Sequence, residues 1–403
     1  MTTHPTDQDK FLRTYPNINT SNLAAIDVQV THRIILEHPA DNEPTLILAF
    51  SGVNMDHTIV NAIKRCVYLY IPVYRFHRSN TYIDINKTRG VHNFDHLHYM
   101  ISCIPIYDVP ITNIAKAIAT APIYSPSAYM SNPILKQMFQ THFDVQEAQA
   151  DDDSTNTTTN LDSDILPNEM TEYKIEVFMS VVNNTTKDTF ASTHDLTLHI
   201  NGQPSDTYKA SNTTMDHSNK PITIQRKRFD LIPLRPGDSV TFKATANVSI
   251  SRLIPYFETT TSIGIEHKDD GSFVLKYESL GQTRPVTIYN TAIDILVIKL
   301  QGLGKFLEFN KSDYIARAMS TNTSKFNITI HGEEDTLGNM LTMTLQRNPA
   351  IEFAGYALDK PGGNILELIV AAKNKYETLD IIIEAIRYLV ALLDKLVLPI
   401  PNT

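Results

Sequence analysis

Three histidines stand close together early in the chain: His92, His96 and His98. Imidazole nitrogens bind zinc, and two histidines four residues apart can share one helix face, as metal ligands do. His92 and His96 have that spacing, but His98 leaves that face and no third ligand stands nearby in the sequence. Surface and edge-of-core histidines are the better account. Asp151-Asp152-Asp153 has the carboxylates that could hold a catalytic magnesium. Such ligands need a rigid supporting shell, whereas these lie in DDDSTNTTTNLDSD, a polar segment that reads as a solvated acidic loop. Gly302-Leu303-Gly304-Lys305 has the glycines and lysine of a phosphate cradle. A P-loop needs a strand before the glycines and Ser or Thr after the lysine. Here the run falls late in a helical pattern and Phe306 follows, so a helix-ending glycine is expected. Two cysteines, Cys66 and Cys103, cannot make a four-cysteine zinc or iron–sulfur site, and both are expected to be small core residues.

The totals set the frame. The chain has 403 residues, 42% hydrophobic and 20% charged, enough for two or three cores. Net charge is −9 and the pI about 5.9, which argues against gripping nucleic acid through its phosphates as the main task. The opening MTTHPTDQDK has no apolar h-region, and no run of about 18 apolar residues is found, so neither a signal peptide nor a membrane span is expected. The setting is expected to be intracellular, with the sequons at Asn184, Asn212, Asn247 and Asn327 unglycosylated.

The elements are clearest in 325–371. Phe326, Ile328 and Ile330 alternate on one face of a strand. Asp335 stands where a helix N-cap is expected, and Leu337, Met340, Leu341 and Leu345 follow as one apolar stripe. Gly338 beside that stripe costs about 1 kcal/mol of helix stability against Ala, so it is expected to admit another backbone closely. Asn348-Pro349 ends the helix, and strands over 351–357 and 365–371 follow. Thr58-Ile59-Val60-Asn61-Ala62-Ile63 parallels Thr336-Leu337-Gly338-Asn339-Met340-Leu341. Each run follows a strand and a turn, opens a helix, and ends before a proline, Pro72 or Pro349. Two units of one design suggest an internal duplication or a fused pair. Ile59, Ile63, Cys66, Val67 and Tyr70 form the first helix's apolar face, with Lys64 and Arg65 beside it.

The string Glu334-Asp335-Thr336-Leu337-Gly338-Asn339, with Phe353-Ala354-Gly355-Tyr356 after Pro349, resembles the L subunit of archaeal RNA polymerase and its eukaryotic eleventh-subunit counterpart. The bacterial alpha subunit carries a similar Thr-Leu-Gly-Asn run. The resemblance covers about 325–396. The first unit resembles the archaeal D subunit and its eukaryotic third-subunit counterpart. The family pattern Asn-Ala-Leu-Arg-Arg, then proline and a strand, stands here as Asn61-Ala62-Ile63-Lys64-Arg65 and Ile71-Pro72. The family's acidic pair and helix ending in Ile-Pro-Leu stand here as Asp95 through Ile104-Pro105-Ile106, with Met100 where the family has a basic residue.

Between the units, a short helix is expected over 111–119 and strands over 173–182, 195–200, 222–232 and 239–250. A strand over 272–278 and a long helix over 286–306 resume the first unit. Lys299 interrupts that helix's apolar face, so its ammonium must reach water or a partner. A last helix from Glu377 carries Leu379, Ile383, Ile386, Val390, Leu393 and Val397 as a wide stripe. The expected fold is α+β: two related dimerisation modules, each an antiparallel sheet with helices, plus a β-rich insert. The expected boundaries are a flexible 1–21; a D-like module over 22–106 and 265–310; an insert over 107–264, with a disordered loop near 148–168; a linker over 311–324; and an L-like module over 325–403.

The resemblance implies a non-catalytic assembly platform with no cofactor or metal of its own. Its partners would be the second-largest and largest polymerase subunits and small zinc-bearing subunits. Nucleic acid would be met only through the complex, and no membrane. The residues expected at subunit interfaces are Asn61, Lys64, Arg65, Leu337, Gly338, Asn339, Leu341, Leu345, Ile386 and Leu393. In the family, the arginine at the position of Arg65 lies toward the second-largest subunit. Single-chain fusions of the two halves occur in some large DNA viruses, so host cytoplasm, host nucleus or the virion is the expected location. One alternative is a metal-dependent hydrolase using the histidines near His96; another is a virion or scaffold protein unrelated to transcription. Metal analysis separates the first: the platform predicts no stoichiometric metal that a His96→Ala, His98→Ala double variant would lose.

Overall fold

The computed structural model describes residues 20–35, 45–90, 93–107, 109, 111–120, 173–205, 211–215, 221–225, 228–252, 255–312, 325–331, 333–359, 365–374 and 377–399. The expected loop near 148–168 with Asp151–Asp153, most of the 311–324 linker, nearly all of 1–21, and His92 lie outside these residues.

In chain order the first elements are β1 (Gln29–Ile35), β2 (Thr45–Ser51), α1 (His57–Leu69), β3 (Pro72–Ile83), α2 (Phe94–Ser102) and α3 (Thr112–Thr120). Then come β4 (Ile175–Val182), β5 (Thr189–Ser192), β6 (Thr197–Ile200), β7 (Gln203–Ser205), β8 (Ser211–Met215), β9 (Pro221–Gln225), β10 (Asp230–Leu234) and β11 (Ser239–Ile250). β12 (Thr260–His267), β13 (Phe273–Ser279) and α4 (Pro285–Phe309) follow. The last stretch holds β14 (Lys325–His331), α5 (Asp335–Gln346), β15 (Ile351–Leu358), β16 (Ile365–Ala372) and α6 (Thr378–Asp394).

The fold is α+β, and every strand pairing is antiparallel. One sheet has the order β1-β2-β13-β12 and another β14-β16-β15. Between them lie α1, α4, α5 and α6, which touch in a closed ring: α1 on α4 and α5, α6 on α4 and α5. α1 also packs on β12 and β13, and α5 on β15 and β16. Alternation explains the sheets. Leu46, Leu48 and Phe50 of β2, and Ile328 and Ile330 of β14, all point inward and are buried. A single apolar cluster runs from Ile26 to Leu398 through both sheets and the helices between them.

Sheet membership departs from the expected boundaries. β3 leaves α1 directly and pairs with β11, in the five-stranded order β3-β11-β4-β6-β7. β12, expected within the insert to residue 264, pairs instead with β13. The expected strand over 222–232 is two strands in different sheets, β9 with β8 and β10 with β5. β1 starts at Gln29, after a single 3-10 turn over Leu23–Ala25.

α4 continues to Phe309, so Gly302 and Gly304 lie within it and do not end it. A Cβ at Gly304 would stand 3.4 Å from Ile386 Cγ2, where α6 crosses. α4 is also long and apolar enough to cross a bilayer, against the sequence expectation, and most of its apolar stretch is buried in the protein. Tyr277 Oη donates to Pro285 O at 2.7 Å and so ties β13 to its start. Cys66 is buried as expected, and burial pushes its thiol pKa up to about 12. Cys103, in contrast, is exposed at the end of α2.

Gly338 does not admit a backbone. A Cβ there would stand 2.5 Å from Leu366 Cδ1 and 2.7 Å from the Tyr356 ring, both side chains of the sheet beneath α5. The glycine lets helix and sheet approach closely. Gly338→Ala should therefore destabilise the chain despite the roughly 1 kcal/mol gained in helix propensity. Overpacking costs about 1–3 kcal/mol. Urea unfolding at constant m-value reads the sign, and a more stable variant would show that Leu366 and Tyr356 move aside freely.

Candidate subunit interface

α1 and α5 are built alike and lie against each other. Asp56 caps α1: its Oδ1 accepts from Thr58 N at 2.8 Å and Ile59 N at 3.1 Å. The carboxylate is almost wholly buried, and its Oδ2 accepts from Arg347 Nη1 at 3.1 Å. Arg347 is the C-cap of α5, so the pair joins the start of one helix to the end of the other. The mirror contact is at the opposite end. Glu334 is the N-cap residue of α5, one position before the expected Asp335, and makes no side-chain cap bond. Its carboxylate is taken by Arg65 Nη2 at 3.2 Å and Arg252 Nη2 at 2.5 Å. Asp335, inside the helix, lies 3.8 Å from Arg65 Nη1 and accepts from Tyr356 Oη at 3.3 Å. The two helices therefore run antiparallel about a pseudo-two-fold axis, with an acidic cap on each met by an arginine of the other. Each acid sits at the positive end of a helix dipole and Arg347 at a negative end, so these three also suit their own helices.

A third pair is almost as secluded as Asp56 with Arg347. Lys299 of α4 bonds to Glu333, and both side chains are about nine-tenths buried or more. The partner that Lys299 needed is thus a carboxylate just ahead of α5. The Tyr70 ring lies beneath both cations, with Lys299 Nζ 5.0 Å and the Arg252 guanidinium 5.4 Å from its centroid. Burial raises the Tyr70 phenol to about 12, against the pull of those two cations, so it stays neutral. Beside these pairs, α4 packs on α6 and is tied by a few polar bonds to the residues just beyond it. Tyr289 Oη donates to Leu396 O at 3.0 Å and Asn290 Nδ2 to Leu398 O at 2.8 Å, while Leu398 N donates back to Asn290 Oδ1 at 3.0 Å. Lys395 Nζ donates to Ile26 O at 2.7 Å.

Of the residues singled out by sequence, Leu337, Gly338, Leu341 and Leu345 are buried in α5, and Ile386 and Leu393 in α6. Asn61, Lys64 and Arg65 on α1 and Asn339 on α5 are half-buried. Val397 lies beyond α6 and is exposed, so it leaves the expected stripe. Asp56, Arg252, Glu333 and Arg347 were not among the expected residues. The match of Thr58 with Thr336 was the available signal, because it aligns Asp56 with Glu334 just ahead of each helix. His96 is exposed and His98 half-buried on α2. Among the described residues no group of three or more His, Cys, Asp or Glu is placed to hold a metal ion. Nothing in this geometry supports the hydrolase reading.

Residues 325–397, which hold β14, α5, β15, β16 and α6, match the RNA polymerase Rpb3/Rpb11 dimerisation domain family. The class that this likeness points to is that of the alpha-like, non-catalytic subunits of multisubunit RNA polymerase. Across nearly its whole length the chain is similar to a protein named as a DNA directed RNA polymerase subunit, R470, of Acanthamoeba polyphaga mimivirus, at 29% identity over 378 residues, 91% of this chain and 93% of that one. It is also similar to the DNA-directed RNA polymerases I and III subunit RPAC2 of Saccharomyces cerevisiae, at 27% identity over 84 residues, 21% of this chain and 59% of that one.

The buried and exposed ion pairs should differ sharply. Arg347→Ala leaves the Asp56 carboxylate buried without its cation, a loss of about 3–5 kcal/mol. Arg387→Ala breaks the exposed pair with Glu308 at 2.7 Å and should cost less than about 1 kcal/mol. Equilibrium denaturation of the two variants checks this, and equal losses would mean that the seam is hydrated.

Proposed function

We propose that this chain is the assembly platform of a DNA-dependent RNA polymerase, with a D-like and an L-like half joined in one polypeptide. The carrying observation is the antiparallel match of α1 with α5, with an acid and an arginine at each end. The first half is centred on β1, β2, β12, β13, α1 and α4; the second on β14 to β16, α5 and α6. The sheet of β3, β11, β4, β6 and β7 is an addition lodged against the first half. Joining the halves makes their pairing intramolecular and fixes their ratio at one to one.

In this reading the paired helices are the interior of the platform. Asn61, Lys64, Arg65, Leu337, Gly338, Asn339, Leu341, Leu345, Ile386 and Leu393 form or border that interior. Arg65 clasps Glu334 and keeps part of its surface open, so it can serve the seam and a docked subunit together. The second-largest subunit docks first on an outer face, small zinc-bearing subunits reinforce it, and the largest subunit closes the assembly. A preorganised surface of this kind suits a large, stable interface. The work is done inside an infected host cell, in cytoplasm or nucleus, or within the virion.

Tagged chain recovered from the cells that make it should bring the two largest polymerase subunits in stoichiometric amount, read by mass spectrometry. Leu341→Asp, which puts a carboxylate into a fully buried site, should abolish that recovery through misfolding or failed pairing. Purified chain without polymerase subunits, or an active polymerase containing the Leu341→Asp chain, overturns the proposal.

A further inference from the structure

Lys299 and Glu333 are, beside Asp56 and Arg347, a second secluded ion pair at the seam, and the cap contacts do not require them. Asp56 is held by Arg347, and Glu334 by Arg65 and Arg252. A buried ion pair contributes little net stability over a well-packed apolar pair, but it strongly penalises any arrangement that leaves one member alone. Its use is therefore sought in the arrangements it forbids.

Two similar units in one chain create a hazard. A helix such as α1 can meet α1 of another copy, and α5 can meet α5, because each presents much the same apolar face and acidic cap. The cap contacts discriminate weakly. α1 carries both an acid, Asp56, and a basic residue, Arg65, and α5 carries both Glu334 and Arg347. The Lys299–Glu333 pair has no such matching provision in both units. Glu333 directly precedes the N-cap of α5, and the residue directly preceding the N-cap of α1 is Met55, itself buried. In a like pairing of first units, Lys299 would face methionine, with no carboxylate to replace Glu333. In a like pairing of second units, Glu333 would face α6 in place of α4. The only basic residue within α6 is Arg387, whose side chain is 64% exposed and bound to Glu308. Either like pairing parts Lys299 from Glu333, and only the unlike pairing brings these two buried opposite charges together.

We propose that Lys299 and Glu333 are the specificity-determining residues that make the two units pair unlike with unlike. The occupant each unit selects is the other unit, and a second copy of itself is rejected. This rests on the reading of the two units as pairing modules. It needs no polymerase for its test, so failure here is distinct from failure to recover polymerase subunits. The general device is a buried polar residue that sets partner choice, used where apolar faces alone would be permissive.

The test uses the full chain in isotope-labelled and unlabelled form, mixed in denaturant, refolded together and treated with an amine cross-linker. Lys64 lies on α1, so a Lys64–Lys64 cross-link joining a labelled and an unlabelled chain reports like pairing. The wild-type mixture should give few such cross-links. K299M/E333M removes both charges at similar volume and should raise them several-fold. K299E/E333K restores opposite charges in exchanged positions and should return them to the wild-type level. Should K299M/E333M fail to refold, K299E alone against K299E/E333K decides: the single reversal sets two carboxylates together and should raise like pairing or aggregation, which the double exchange reverses. Unchanged cross-links in K299M/E333M, or an exchange variant that behaves no better than the single reversal, overturns the proposal.

Discussion

The structure depends on a largely apolar seam that contains charge. Four helices close a ring between two sheets, and the apolar surface they bury supplies the attraction. Apolar faces are non-directional and by themselves allow sliding. The acid–arginine contacts at both ends of α1 and α5 stop that. Asp56 with Arg347 fixes one end and Glu334 with Arg65 the other, so neither helix can shift a turn without burying a bare carboxylate. The rest of the architecture follows from holding that crossing still. Gly338 brings α5 down onto its sheet, and Gly304 sits where α6 crosses α4.

The pseudo-two-fold arrangement also explains why the two acidic caps behave differently. Asp56 is short, caps its helix with one oxygen and keeps the other for Arg347. Glu334 is longer, gives up capping and serves two arginines. One of these, Arg252, comes from just beyond β11, so the added sheet also closes on the seam. The two similar helix starts thus differ at the residues where they meet.

Much of this was legible in the sequence because periodicity reports burial. The alternation in β14 and the stripes of α1 and α5 stand in the structure as the pattern implied. Lys299 on an apolar face correctly demanded a partner, though no local pattern could name Glu333, 34 residues away. The misses have physical causes. Gly302 and Gly304 resembled a helix end because glycine is common there, yet a glycine also serves where two helices cross. The run 222–232 looked continuous because alternation does not reveal which sheet a strand joins. β3 and β12 changed places relative to the expected boundary for the same reason: pairing is long-range, and period two is blind to the neighbour. Asp56 and Arg347 were hidden because a cap and a helix end are each ordinary locally, and only their meeting across 291 residues makes a pair.

The path of β3 carries a mechanical corollary. That strand issues from the end of α1 and runs straight into the five-stranded sheet, while β11 of the same sheet ends two residues before Arg252, which grips the N-cap residue of α5. Tension on the outlying sheet therefore divides into a covalent branch and an ionic branch. The two branches land on opposite partners of the same clasp, so the sheet is yoked to both.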